Sequence, residues 1–400
     1  MMADEAVQLL VDLVQSDSTN PPGTEERAAN HVAEYLTRHD IGVRWQEVAP
    51  GRLNLSASLS GATTRRRPTL LFCGHLDTVP VGNQQWSHDP FGAQITDGLL
   101  FGRGASDMKS GVAAMAVMMA RLRQTYGSES LPIQLLLTVG EEVDSIGAQR
   151  FLEEYGVSGI GGIVIGEPTN GQIAIGHKGA YWLEVQCFGR TAHGSMPQLG
   201  VNAVDQIIDA ANLLYQVRDN LQPSPDTILG APTIAITQIG GGIQTNVIPD
   251  QAFLRADMRF GTPQQQQWVL ETWQGAVDRH RQQHEEFRYQ CRPLLNRSPL
   301  FTDPSHPLIQ KAQELCRVDA KTWRTVSYYT DGSVLAAPTN IPTLIYGPGD
   351  DRLAHQPDES VLLTSFLECI DFYQELAASY AQGDWELAQM GSPPTEADIV

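Results

Sequence analysis

Several apolar runs in this chain stop abruptly at charged residues, and that pattern limits its fold more than any other feature. Residues 69–80 read Thr-Leu-Leu-Phe-Cys-Gly-His-Leu-Asp-Thr-Val-Pro; residues 133–139 lead into Gly140-Glu141-Glu142; residues 160–165 lead into Gly-Glu167-Pro-Thr. A later run, 343–346, leads through Gly347-Pro-Gly-Asp-Asp-Arg-Leu-Ala to His355. A short apolar run bounded by turn residues is the mark of a strand covered on both faces. Open α/β sheets keep their sites beyond the carboxyl ends of such strands. A parallel sheet would therefore bring His75 with Asp77, Glu141 with Glu142, Glu167 and His355 to one edge. Adjacent glutamates at the end of an apolar strand are costly unless something cationic lies beside them.

His75 and Asp77 are two residues apart, and a metal-bound imidazole commonly donates its second ring N–H to a carboxylate. The pair reads as a ligand and its orienting partner, or else as two solvated residues at a strand end. Asp107 sits in the loop Phe101-Gly-Arg-Gly-Ala-Ser-Asp-Met-Lys-Ser-Gly that enters an Ala- and Met-rich buried helix. Alone, it would be no more than a helix cap.

The rest of the chain supplies the frame. Residues 4–15 place Ala6, Leu9, Leu10, Leu13 and Val14 on one helical face, and Thr24 is placed to cap a second helix with Glu25 and Glu26 in its first turn. Arg65 to Arg67 read as a solvated basic turn, and Asp97-Gly98 is a two-residue hairpin signal. Past Lys178 the order becomes β-α-β-β-α-β, which predicts an inserted ferredoxin-like α+β domain. The expectation is an α/β catalytic domain, with a mostly parallel sheet and helices on both faces, over residues 1–178 and 295–400. It is interrupted by a lid or dimerisation domain over 179–294. Residues 360–378 read as a final helix, and the acidic tail beyond Gln382 is expected to be poorly ordered.

Acidic residues outnumber basic ones 46 to 27, for a net charge of -19. That surplus repels nucleic acid and anionic membranes. Five cysteines without a C-x-x-C pair argue against a disulfide framework. The chain shows no basic leader ahead of an apolar core and no run long enough to span a bilayer, so a cytoplasmic location is expected.

Taken together, His75-Leu-Asp77, Gly-Arg-Gly-Ala-Ser-Asp107-Met-Lys, Glu141-Glu142, Gly-Glu167-Pro-Thr, Ala192-His193-Gly-Ser-Met-Pro, Asn246-Val-Ile-Pro, Asp257-Met-Arg259 and Ala354-His355-Gln-Pro-Asp carry a family resemblance. The chain resembles the acetylornithine deacetylase, succinyl-diaminopimelate desuccinylase, aminoacylase and glutamate carboxypeptidase family of dinuclear zinc hydrolases.

The resemblance implies one Zn²⁺ held by His75, Asp107 and Glu167 and a second by Asp107, Glu142 and His355, with Co²⁺ able to substitute. It makes Glu141 the general base, Asp77 the orienting partner of His75, and His193 an oxyanion donor reaching the other subunit of a homodimer. Asn246 and Arg259 would bind the substrate's carboxylate, and the Asp107-Met108 bond would be cis. Many relatives carry aspartate where this chain has Gly140. The implied substrate is an N-acyl amino acid, of the acetylornithine or succinyl-diaminopimelate kind. A short peptide cleaved by a dipeptidase or carboxypeptidase is the alternative. A non-catalytic binding relative would have lost ligands or base, and all are present here. His31, His88, His177, His280, His284 and His306 match no catalytic position and read as structural or surface residues.

Overall fold

The computed structural model describes residues 2–59, 67–221, 228–316 and 322–387. The chain divides into two compact units. The first holds Met1–Gly176, Leu300–Arg324 and Thr330–Val400; the second holds His177–Pro299 and Thr325–Tyr329.

The first unit is built on one sheet. Its strands run in the order Val43–Ala49, Arg52–Ser58, Ile133–Thr138, Thr69–His75, Ile160–Ile165, Thr343–Ile345, Ala174–His177, Leu300–Phe301, with Arg324–Val326 also pairing with Ala174–His177. The four middle strands are parallel, and antiparallel strands flank them. In register, His75 lies opposite Thr138 and Cys73 opposite Ile165, so the middle strands end together at one edge.

Leu70, Phe72, Leu135, Leu137 and Val164 join a single hydrophobic cluster with the helices Met2–Val14, Glu26–Arg38, Ser110–Tyr126, Pro307–Leu315 and Leu363–Gln382. Leu71, Cys73, Leu136, Ile163 and Ile165 alternate with them and are equally buried. Burial on both faces explains why these runs are continuously apolar rather than alternating. The helix Ser110–Tyr126 begins close against the sheet: a side chain at Gly111 would put its first carbon 2.1 Å from the Gly166 carbonyl oxygen.

Local readings met mixed outcomes. Asp97 and Gly98, both at positive φ, do join Gln94–Thr96 to Leu99–Phe101 in a hairpin. Thr24 does not cap a helix, since its hydroxyl donates to the Asp17 carbonyl. Glu25 is fully buried and ion-paired with Arg52. Ser360–Leu362 is a strand against Leu99–Phe101, and only from Leu363 does the final helix run. That helix continues past Ala378 to Gln382, and the segment after it is not loose. Trp385 packs on Tyr380, and Leu387 is buried in the core cluster. Residues 388–400, and Arg65 and Arg66, lie outside the described residues. All five cysteines are free. No helix among the described residues is long and apolar enough to cross a membrane.

The second unit is a four-stranded antiparallel sheet in the order Thr233–Gly241, Gln251–Phe260, Gly179–Phe188, Arg288–Arg297. Helices Ala203–Asp219 and Pro263–Gln283 share a core with one face, through residues such as Leu183, Val185, Ile207, Leu254 and Trp273. Counted within the unit, the sheet order 2-3-1-4 is the ferredoxin-like arrangement. On the polar face, Glu184 is buried between Arg255 and Arg292.

His177 is fully buried, its Nδ1 is 2.9 Å from the Lys178 carbonyl, and its Nε2 has no hydrogen-bond partner among the described residues. Burial, aided by the charge of Arg259, pushes its pKa down to about 4. The unfolded chain binds a proton near the ordinary pKa of about 6.5, so stability present above that pH should be lost as pH falls towards 4. The loss is on the order of 3 kcal/mol across this window. Denaturant melts of wild type and His177→Gln between these limits test it. The wild type should lose more stability than the variant, and parallel profiles would show that His177 is not held neutral.

Candidate metal centre

Each middle strand delivers its charge at the shared edge. His75 ends its strand, and its Nδ1 is 2.9 Å from the Asp77 carbonyl oxygen. Because Nδ1 donates that bond, Nε2 faces the site. Asp77 thus orients His75 through its backbone; its carboxylate stands 3.6 Å from Nδ1. The carboxylate has other work. Its Oδ1 accepts from Gly140 and Glu141 N–H at 3.0 and 3.1 Å, and its Oδ2 accepts from Glu142 N–H at 3.2 Å and Asn20 Nδ2 at 2.9 Å. Asp77 therefore folds the turn that presents the paired glutamates. Gly140 adopts φ +84° in that turn, where a side-chain carbon would also lie 2.7 Å from Ile146, so glycine suits it better than aspartate.

Asp107 stands between two imidazoles. Its Oδ1 is 3.2 Å from His75 Nε2 and its Oδ2 is 3.5 Å from His355 Nε2. Glu167 Oε1 lies 3.7 Å from His75 Nε2, and Glu142 Oε2 lies 3.1 Å from His355 Nε2. The Asp107-Met108 peptide bond is cis. Donor atoms of His75, Glu141 and Glu167, and of His75, Asp107 and Glu142, come within 4.8 Å of one another. Glu141 is thus inside the cluster.

This concentration of carboxylates shows in their acidity. Burial and then Glu167 push Glu141 well above the usual carboxylate range; burial and then Asp107 do the same to Glu167 and raise Glu142. Burial disfavours a charged His75, yet Glu167, Asp107 and Glu141 outweigh it and drive its pKa well up. Hydrogen bonds to Asp107 and Glu142 raise His355 to about 10. The cluster demands positive charge. Its donors are imidazole nitrogen and carboxylate oxygen, a set suited to Zn²⁺ and neighbouring divalent ions. The residues fit the metals that the sequence resemblance implies.

A family model, peptidase family M20/M25/M40, matches residues 71–379. The chain belongs to that family. A probable succinyl-diaminopimelate desuccinylase of Staphylococcus epidermidis is 29% identical over 94% of this chain and 98% of its own length. An acetylornithine deacetylase of Vibrio cholerae is 30% identical over 86% of this chain and 88% of its own. Among solved structures, an M20 family metallo-carboxypeptidase from Sulfolobus solfataricus matches 95% of this chain and 100% of its own at a TM-score of 0.76 and 18% identity. Like its family, this M20 chain is an enzyme of metal-dependent amide hydrolysis.

The remaining expected site residues lie in the second unit. A short ribbon pairs Ala192–His193 with Val247–Ile248, and Gly194 N–H donates to the Asn246 carbonyl, so His193 and Asn246 are neighbours. His193 is exposed, and its Nδ1 accepts from Ser195 N–H at 3.1 Å, which leaves Nε2 as the N–H donor of the neutral ring. Arg259 lies on a different sheet and grips Asp257 with Nε and Nη2 at 2.7 and 2.9 Å. Its Nη1 has no hydrogen-bond partner among the described residues.

Two features of this M20 site escaped sequence reading. Asp331, buried and bonded to Thr138 Oγ1, adds a further negative charge within electrostatic reach of His75 and Glu141, and burial lifts its pKa to about 6. Arg103 and Glu359 form a buried ion pair beside Asp107. The only signal for either was a charged residue flanked by glycine or by other acids.

A cation-demanding cluster should make the fold respond to metal. Zn²⁺ or Co²⁺ at a hundred times its dissociation constant should stabilise the protein by about 2.7 kcal/mol, and a chelator should remove the gain. Thermal melts with each addition measure this. Glu142→Gln should blunt the response; an unchanged melt in wild type would count against a metal centre.

Proposed function

We propose that the protein hydrolyses the amide bond of an N-acyl amino acid, freeing the acyl group as a carboxylate and the amino acid as an amine. The observation that carries this reading is the pair of imidazoles set on opposite oxygens of Asp107. In it, His75, Asp107 and Glu167 hold one divalent ion, and Asp107, Glu142 and His355 hold the other. Two such ions, Zn²⁺ in this reading, supply Lewis-acid polarisation of the scissile carbonyl and acidify a water.

The chain's own groups do the rest. Glu141 takes a proton from the attacking water as the C–O bond forms and the carbonyl becomes a tetrahedral oxyanion, then returns that proton to the leaving nitrogen as the oxyanion collapses and the C–N bond breaks. His193 of the partner subunit, in a homodimer formed through the second unit, donates from Nε2 to the oxyanion. Asn246 and Arg259, whose Nη1 is not engaged by Asp257, take the substrate's carboxylate. The curated relatives named as desuccinylase and deacetylase support the acyl amino acid as substrate. A dipeptidase or carboxypeptidase is the second reading, since the M20 family metallo-carboxypeptidase shares this fold.

Amine release decides between them. Purified protein with Zn²⁺ or Co²⁺ should release amine from N-acetyl-L-ornithine, N-succinyl-diaminopimelate or another N-acyl amino acid, and stop with chelator. Release from dipeptides alone would favour the peptidase reading, and release from neither would sink both. Glu141→Gln should keep its metal and lose about 100- to 10,000-fold in kcat; near-normal turnover removes Glu141 as base. Mixing inactive His193→Ala with Glu141→Gln subunits should restore part of the activity, and silence after proven subunit exchange would refute the cross-subunit histidine.

A further inference from the structure

Glu359 lies four residues beyond His355 and is fully buried. Its Oε1 accepts from the backbone N–H of Ser106 and of Asp107, each at 2.9 Å. Its Oε2 accepts from Gly104 N–H at 3.1 Å and from the Arg103 guanidinium. With each oxygen taking two donors, the carboxylate is committed to the loop and has little capacity left for a metal or a substrate. Arg103 is itself fixed, with its guanidinium carbon 5.1 Å from the centre of the Trp86 ring. The neighbouring Asp358 secures a third segment, its Oδ1 accepting from Ser87 and His88 N–H at 2.8 and 3.0 Å.

From these contacts we infer that Glu359 is a positioning residue for the metal centre: its carboxylate clamps the 103–107 loop so that Asp107 presents one oxygen to His75 and the other to His355. The inference rests on the proposed role of Asp107 as shared ligand. Local chain geometry alone would not hold that loop. Asp107 has the non-helical angles φ -119° and ψ 99°, and while Ala105 N–H finds the Gly102 carbonyl, the N–H groups of Gly104, Ser106 and Asp107 take their acceptors from elsewhere. Glu359 supplies them, and through its own backbone it also ties the loop to the segment that carries His355. Gly102 N–H donates to the Glu359 carbonyl at 2.8 Å, closing the same connection from the other side. This carboxylate, together with the Ser106 hydroxyl that donates to the Asp350 carbonyl at 2.9 Å, therefore sets the spacing between the shared ligand and the histidine of the second ion.

Partners that orient metal ligands from behind typically contribute 10- to 100-fold in metal affinity. Two variants test the clamp. Glu359→Gln keeps the size but sets an NH₂ against N–H donors; Glu359→Asp keeps the charge opposite Arg103 and withdraws it by one carbon, which guards against a variant that does not fold. Co²⁺ is the probe, titrated into metal-free protein against a competing chelator, with its visible absorption recorded. Melts in chelator report the fold separately. The expected result is about a 10- to 100-fold loss of Co²⁺ affinity and an altered Co²⁺ spectrum in a variant that still melts cooperatively. Wild-type affinity and an unchanged spectrum in a folded variant would overturn the clamp, whatever happens to the melting temperature. A wild-type chain that takes up no Co²⁺ would overturn the metal centre itself and the clamp with it, so the two failures are told apart by the wild type.

Discussion

Repulsion between buried carboxylates is the constraint around which the first unit is arranged. The strand edge and the loops beside it bring together Asp77, Asp107, Glu141, Glu142, Glu167, Asp331 and Glu359, most of them buried. A buried charge without a partner costs several kcal/mol. The fold meets the problem in two ways. Asp77 and Glu359 are each surrounded by three backbone N–H groups, with Asn20 or Arg103 completing the set. Asp107, Glu142 and Glu167 instead face imidazole nitrogens. The fold compensates the charges that shape loops with backbone donors and sets the others against imidazoles.

This division explains features that packing alone would not. The turn after Thr138 is tight because three consecutive amides converge on one aspartate, and Gly140 supplies the left-handed backbone that convergence requires. The helix Ser110–Tyr126 starts hard against Gly166 because the loop before it must reach the strand edge. Precision in the ligands is inherited from backbone geometry a short distance behind them.

The middle strands and their charged ends were legible from sequence because burial on both faces imposes a continuous apolar run and its interruption is conspicuous. His75, Glu141, Glu142, Glu167 and His355 could be named that way, and Asp107 through its family resemblance. What could not be read was any pairing set by tertiary contact. Glu25 looked like a residue of a helix's first turn, yet it is buried against Arg52. Trp385 and Leu387 lay in what composition marked as a loose tail, and each found an apolar surface made by distant residues. Asp77 was legible as a partner of His75, but not that its carbonyl performs the task while its carboxylate organises a turn from another strand.

The longer segment of the second unit, His177–Pro299, leaves the sheet of the first and returns to it at adjoining strands, Ala174–His177 and Leu300–Phe301. Exit and re-entry side by side make the insertion a long loop topologically, and loop closure costs grow only slowly with length. The segment threaded between those two strands can therefore vary in length at little cost in closure. The four parallel middle strands that carry the charged edge keep their register whatever the length of that segment.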